Sequence, residues 1–468
     1  MRIQRLFGLM ALSLALTTGA ACKNKGKDSQ NPAGPSGAAT DPTKASAEAK
    51  KAFSDVASRY DKAKASGKLS AGQCESFSKD FQDVYKEFGS QMTIAWFNSG
   101  AVLEECGKTE EAEKIYEAII KKEPKFDLAY NNLGVIYWDR KKESKALDYF
   151  KRAVEANPKT KAPRNNLAAA LRDKYSNEPK QDDFEKAERN LQTVLAVDSS
   201  NQLAYENLAR LYYDRGRLKD KSYILLAELV VTQSLRVFKD ASIESPDIYN
   251  IQGLIFMERD NQVDALKAFT KAAEIKPDHA DAHMNIAMIS IRFRDYAQAE
   301  KSLNIALKDG RQKKNVETYL GLGVAQRGLR KYSEAEKSFK KAIDVSAKDP
   351  RPLYNLGVLY QGHIGPNSEG DGTKENDTAK GYFNKFISKA SGDKEYADYV
   401  ADAKQRIENI DQYKKDLEEM KKLEAEAKKL EELQKKQEEE ERKRLLDLEK
   451  KARDAAAAAS GGGEPAAQ

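Results

Sequence analysis

The stretch from Asp127 to Thr160 reads DLAYNNLGVIYWDRKKESKALDYFKRAVEANPKT, and it predicts a repeated structural unit. Its first half places one glycine among large apolar groups at helical spacing, at Tyr130, Leu133, Gly134 and Tyr137. Its second half uses the same spacing for small, large and small side chains, at Ala146, Phe150 and Ala153. Pro158 has no amide hydrogen and ends the second helix. The stretch therefore predicts two packed helices joined by a turn, with a close approach at Gly134.

The same pattern returns at a spacing of 34 residues in both directions. The earlier copy has Trp96, Gly100, Ala112, Tyr116 and Pro124, and the later one has Leu167, Ala168 and Leu171. These residues resemble the tetratricopeptide repeat (TPR) family, whose pattern is an aromatic residue, Leu-Gly, Tyr, then Ala, Phe, Ala and Pro. The resemblance covers roughly residues 93–392.

Length and composition agree with a repeat protein. A chain of 468 residues with 40% apolar and 33% charged residues is too long for one globular core, whereas a solenoid grows in one dimension. The resemblance implies an all-α fold: a right-handed superhelical TPR solenoid of about eight repeats with capping helices, followed by a long charged C-terminal helix. The predicted divisions are a signal peptide at 1–21, a lipidated cysteine and tether at 22–43, a capping helical pair at 44–92, the solenoid at 93–392, a capping helix at 393–411, a charged helix at 412–454 and a disordered tail at 455–468.

The N-terminus has the layout of an export signal. Arg2 and Arg5 precede an apolar run, and small residues lead to Cys22. The segment resembles a bacterial lipoprotein signal, which implies lipidation of Cys22 and, with Lys23 rather than aspartate next to it, an outer-membrane lipoprotein facing the periplasm. The alternative is an ordinary signal peptide cut near Ala21.

Two cysteines suggest a covalent link at the start of the solenoid. Cys74 begins the second capping helix, and Cys106 ends the first helix of the next repeat. Helix pairs stacked in register bring these two places to the same edge, so a disulfide is expected in an oxidising periplasm. The alternative is a pair of separate buried thiols.

The C-terminal segment predicts a solvated helical rod. Six acid-first pairs have the favourable i,i+4 order: Glu418–Lys422, Glu424–Lys428, Glu431–Lys435, Glu432–Lys436, Glu438–Arg442 and Glu439–Lys443. A coiled coil is the rival interpretation, but Leu423 and Leu430 are followed at the same heptad position by Gln437 and Arg444. A polar insert runs from Gly362 to Asp377, and its part from Pro366 to Asp377 is predicted to be a flexible loop.

Candidate binding residues lie on the first helices of the repeats. One repeat position is held by asparagine, at Asn98, Asn132, Asn166, Asn207, Asn285 and Asn355, which is either a peptide-binding ladder or a structural consensus. Residues outside the consensus are more informative: the predicted partner-binding residues of the groove are Asn131, Asn165, Arg172, Arg210 and Tyr213. The main contact is expected on the concave face of the third to fifth repeats, through Arg172, Arg210 and Tyr213.

Other classes of function find little support. Basic and acidic side chains number 80 and 74, so no strong field for nucleic acid follows. His279 and His283 have a chelating spacing, but no third ligand is evident and packing is the favoured role. We therefore expect no metal, no cofactor, no small-molecule substrate and no enzymatic activity.

These features indicate a lipid-anchored TPR scaffold that binds envelope proteins through a concave groove and assembles or tethers a multiprotein machine. The layout is similar to the TPR lipoproteins of the myxobacterial gliding-motility envelope complex, which implies a role in gliding motility. The alternatives are a pilotin-like assembly factor for a secretin or pilus, and a TPR adaptor that recruits cell-wall hydrolases.

Overall fold

The structure is a computed structural model that describes residues 45–367 and 369–460. The predicted signal peptide, Cys22, the tether and the last eight residues of the predicted tail lie outside the described residues. Within the described ranges the chain is helical and contains no strand, so the predicted all-α TPR solenoid is confirmed.

The chain divides into two compact units, one ending at Ala282 and the other beginning at His283. The first unit contains α1 (Ala47–Ala65), α2 (Ala71–Phe88), α3 (Thr93–Glu105), α4 (Thr109–Lys122), α5 (Asp127–Asp139), α6 (Glu143–Ala156), α7 (Ala162–Asn177), α8 (Gln181–Val197), α9 (Gln202–Leu218), α10 (Ser222–Asp240), α11 (Pro246–Glu258) and α12 (Gln262–Ile275). The division falls inside α13 (Ala280–Arg292). The second unit contains α14 (Tyr296–Ala306), α15 (Val316–Gly328), α16 (Tyr332–Val345), α17 (Arg351–Leu359), α18 (Thr373–Ala390) and α19 (Ala397–Ser460).

In the repeats that have a glycine on the first helix, the two helices cross closely at that glycine. A Cβ atom added to Gly134 on α5 would lie 2.5 Å from Cε1 of Phe150 on α6. Phe150, Ala146 and Ala153 are fully buried, so this ring fills the space that the glycine leaves. The same contact recurs between Gly253 and Phe269. The sequence period thus reflects a repeated ring-on-glycine contact.

Successive repeats also pack first helix against first helix. In the first unit α5 contacts α7, α7 contacts α9, and α9 contacts α11. Such contacts between nearest neighbours only are typical of a solenoid. We call this row of four first helices the inner wall.

The C-terminal end of the second unit differs from the prediction in two ways. Helix α19 is one continuous helix of 64 residues, which joins the predicted capping helix to the charged rod and extends six residues into the predicted tail. The insert is not a plain loop, because it forms a π-helical turn at Tyr360–Ile364 and a 3₁₀ turn at Gly365–Asn367. Its second half contacts α19 through Asp371 and Asp377, which accounts for its defined path.

Candidate protein-binding surface

Three asparagines of the inner wall, Asn131, Asn132 and Asn166, belong to a buried hydrogen-bonded chain. Tyr116 donates its hydroxyl to Glu104 at 3.0 Å, and Asn132 donates to the Tyr116 hydroxyl at 3.2 Å. Asn131 donates to Asn132 at 3.1 Å, and Asn166 of the next repeat donates to Asn131 at 2.8 Å. The chain therefore ties neighbouring repeats together, and buried amides of this kind stabilise only when they are paired.

This burial changes the interpretation of two predicted binding residues. Asn131 is 0% exposed and Asn165 is 2% exposed. Asn165 donates to Oδ1 of Asn201 at 3.1 Å, and the same oxygen accepts from the Ala204 amide as the N-cap of α9. Both side chains lie inside the packing between repeats, so they present almost no surface to a partner.

The other three predicted residues meet around Asp214. Nε of Arg210 lies 3.1 Å from Oδ1 of Asp214, and Nε of Arg172 lies 3.9 Å from Oδ2 of the same carboxylate. Arg172 also donates to Asn207 at 3.1 Å and to Asp173 at 2.7 Å. The structure thus brings two arginines from adjacent repeats to one acidic side chain.

Tyr213 packs beside this cluster. Its side chain is buried, and its hydroxyl donates to Oε1 of Glu258 at 3.1 Å. Burial, followed by the Glu258 carboxylate, raises the pKa of Tyr213 to about 12, so the phenol stays protonated at neutral pH. The guanidinium of Arg210 lies 5.7 Å from the centre of the Tyr213 ring, within the range of a cation–π contact.

The members of this cluster differ in accessibility. The side chain of Arg210 is 37% exposed, whereas those of Arg172 and Asp214 are each 12% exposed. Arg210 is therefore the group that a partner can reach, and Asp214 and Tyr213 position it. The binding role of all five predicted residues stays a prediction. Of the three residues around Asp214, Arg210 is the most accessible candidate for contact with a partner.

Sequence reasoning missed Asp214 and Glu258, the two carboxylates that organise the cluster. A signal for Asp214 was present, because Arg210 and Asp214 have the i,i+4 spacing of a helical ion pair. Glu258 lies on α11, one repeat further along, and no local spacing links it to Tyr213.

Cys74 and Cys106 form a disulfide, with their Cα atoms 6.3 Å apart. The bond links α2 to the end of α3. It fastens the helical pair α1–α2 to the first repeat. The pair also contains the packed rings of Phe53 and Phe81, whose centroids are 5.6 Å apart.

His279 is engaged in local structure. Its Nδ1 accepts from the Ala282 amide at 3.0 Å, and its Nε2 lies 3.3 Å from Asp247. His283 is also buried. In the part of the chain that the structure describes, no three His, Cys, Asp or Glu side chains are grouped in a way that could hold a metal ion.

None of the helices in the described ranges combines the length and the hydropathy that crossing a bilayer requires.

Comparison with known families agrees with the repeat pattern. The model described as tetratricopeptide repeat matches residues 79–159, 180–220, 252–313 and 285–351. Among curated proteins, the BBSome complex member BBS4 of Bos taurus is 25% identical over 176 residues, an alignment that covers 38% of this chain and 32% of the relative. The chain thus matches about a third of the length of that relative.

Solved structures of similar fold are of low sequence identity. The structure of PilW, described as a widely conserved type IV pilus biogenesis factor, is 19% identical, covers 50% of this chain and 98% of its own, and has a TM-score of 0.37. YrrB, described as a TPR protein with an unusual peptide-binding site, is 19% identical, covers 44% of this chain and 96% of its own, and has a TM-score of 0.29.

Proposed function

Because the chain carries tetratricopeptide repeats, we propose that it is a non-catalytic scaffold that binds other proteins along its inner wall. The observation that carries this proposal is that Arg210 is both exposed to solvent and held in position by its neighbours. Its guanidinium is accessible, yet Asp214 and Tyr213 fix its position. A side chain that is already ordered loses little entropy on binding, and arginine is among the residues that most often dominate interface energy.

The chemistry of the expected partner follows from the same cluster. Asp214 neutralises part of the charge of both arginines, so the wall favours a polar or weakly acidic segment rather than a highly charged one. Arg210 retains exposed donors that can bind backbone carbonyls or a carboxylate. An extended peptide of a partner protein fits this description.

We further propose that the scaffold is lipid-anchored through Cys22 in the outer membrane and faces the periplasm. The Cys74–Cys106 disulfide supports an exported location, because such bonds persist in oxidising compartments. In this location the scaffold would assemble or tether a multiprotein envelope machine, for which gliding motility is our first candidate.

The test is site-specific photo-crosslinking in living cells. A photoreactive residue at Arg210 is expected to capture an envelope protein. The matched control is Arg236, which is equally basic but exposed on α10, the second helix of its repeat. Equal capture at the two sites, or capture at Arg236 alone, would place binding elsewhere and overturn the proposal.

Identification of the captured protein separates the candidate machines. A motility component would support the gliding assignment. Capture of a secretin or pilus component, or of a cell-wall hydrolase, would support the scaffold proposal but replace gliding motility as the assigned process.

A further inference from the structure

The outer part of α19 carries a row of large apolar side chains in solvent. Met420, Leu423, Leu430, Leu445 and Leu448 are between 54% and 59% exposed. Leu433 and Leu446 on the same helix are exposed to a similar degree, so the outer part of α19 offers a partner several large apolar side chains.

These side chains form one continuous stripe. The stripe has an apolar row at each end and three polar residues between the two rows. Successive positions are alternately three and four residues apart, except that two steps of four follow each other at the polar residue Glu441. The stripe consists of Met420, Leu423, Ala427, Leu430, Gln434, Gln437, Glu441, Leu445, Leu448, Ala452 and Ala455. On a straight helix with 3.6 residues per turn, these positions lie within about 100° of the circumference. A strict heptad would drift away from one face, and the additional step corrects the drift.

We propose that this stripe is the interface of an antiparallel two-stranded coiled coil with a second copy of the chain. In the register that centres on the polar residues, Leu430 faces Leu445 of the second copy, and Ala427 faces Leu448. Leu423 then faces Ala452, so that the last two of these pairs each match a large side chain with a small one. Parallel pairing would instead place Ala427 against itself and leave a gap.

The charges beside the stripe favour the same direction. One flank carries Glu419 and Glu426 in its first half and Arg444 and Lys451 in its second half. In this register Glu426 lies within two positions of Lys451 of the second copy, and this opposite-charge contact occurs at both ends of the coil. On the other flank Glu431 lies near Arg442 of the second copy and Glu424 lies near Glu449, so attractive contacts outnumber repulsive ones. Parallel pairing would place Glu426 beside Glu431 of the second copy, where like charges repel.

The size of the stripe is sufficient for a dimer. From Met420 to Ala455 the helix is about 50 Å long, and a strip of its ~12 Å width has about 600 Å² of surface. Stable interfaces bury about 600 to 1,000 Å² per partner.

The insert leaves the stripe open. Asp371 contacts α19 through Lys421, which is two residues from Leu423 and therefore points to the opposite side of the helix. The proposal concerns α19 alone and does not depend on the binding role of Arg210.

Charge reversal tests both the dimer and its direction. The full chain, purified in detergent, is expected to be a dimer by analytical ultracentrifugation. The variant Glu419→Lys/Glu426→Lys replaces the attraction to Lys451 of the second copy by repulsion at both ends of an antiparallel dimer, and its dimer dissociation constant should rise about tenfold or more. The variant Arg444→Glu/Lys451→Glu should weaken its own dimer similarly. A mixture of the two variants should form a heterodimer, because residues 426 and 451 of the two chains again carry opposite charges.

Three results would overturn the proposal. The first is a wild-type chain that stays monomeric at concentrations of 100 µM, roughly the range in which weak coils of this size associate. The second is a Glu419→Lys/Glu426→Lys variant that dimerises as well as or better than wild type, which is the outcome for parallel pairing. The third is equal weakening by Glu432→Lys/Glu439→Lys, a matched change on the opposite face of α19. Circular dichroism must give the same helicity for each variant, since all the altered residues are exposed.

Discussion

The hydroxyl of Tyr413 donates a hydrogen bond to the backbone oxygen of Asp371, 2.8 Å away. Lys421, two helical turns further along α19, lies 2.6 Å from the Asp371 carboxylate. Together the two contacts fasten the insert to the base of the long helix. The hydrogen bond from Lys421 lowers the pKa of Asp371, so the ion pair is complete at neutral pH and is lost only as the pH falls through this lowered pKa.

Removing this attachment should loosen the base of α19. In the variant Asp371→Ala/Tyr413→Phe, backbone amides of residues 411–421 should exchange with solvent about fivefold faster, since solvent-exposed contacts of this type restrain local opening only modestly. Hydrogen exchange measured by mass spectrometry reports the change. Glu369→Ala removes a neighbouring charge of the insert and should leave the exchange unaltered. Equal rates in the variant and the wild type would mean that the insert does not restrain the helix.

The contact between Gly134 and Phe150 predicts strong sensitivity to a single methyl group. Gly134→Ala should lower the free energy of unfolding by ~1 to 3 kcal/mol, because the new Cβ would lie 2.5 Å from the ring. Thermal unfolding of the purified chain measures the effect. The control is Gly72→Ala on α2, where an added Cβ meets nothing within 4 Å and alanine favours the helix. A Gly134→Ala variant as stable as wild type would refute the packing described for the repeat.

The disulfide should account for a measurable part of the stability of the first unit. Reduction opens a loop between residues separated by 32 positions, which the chain-entropy model equates with ~3 to 4 kcal/mol. Adding a reductant should therefore lower the melting temperature of the wild type. The variant Cys74→Ser/Cys106→Ser should melt at the lower temperature with or without reductant. A wild type that does not respond to reductant would contradict a stabilising role.

The proposed anchor predicts a change of location. Cys22→Ala should move the protein from the membrane fraction to the soluble periplasmic fraction, because the acyl chains contribute ~0.8 kcal/mol for each buried methylene group. Immunoblotting of the fractions measures the distribution. A Cys22→Ser variant should behave in the same way, since serine cannot form the thioether. Retention of either variant in the outer membrane would exclude this anchor.

Local periodicity was enough to predict the repeats, because the glycine and the ring that touch it, Gly134 and Phe150, lie on consecutive helices. The backbone conformation of the turn between these helices was harder to predict from the sequence. Its left-handed residue is glycine in the first repeat, at Gly107, but lysine in the next, at Lys141. The usual glycine signal for such a turn is therefore absent where the repeat is otherwise most regular.

The binding surface was less predictable for a physical reason. Asn131 and Asn165 look like free polar groups in a sequence, but their exposure depends on the neighbouring repeat, which covers them. The sequence prediction divided the C-terminal helix between residues 411 and 412 because the composition changes near this point. A change of composition alters which face of a helix is buried, but it does not break the backbone hydrogen bonds of the helix. Helix α19 therefore continues through this point.

The continuity of α19 gives the second unit a lever arm. At 1.5 Å per residue its 64 residues extend about 95 Å, and the first turns are packed against α18. A tilt of about 5° at that packed end would move the distal end by about 8 Å. Small rearrangements among the last repeats would therefore displace the distal end of α19 by a distance comparable to the width of a helix. This displacement would occur far from the side chains that caused it.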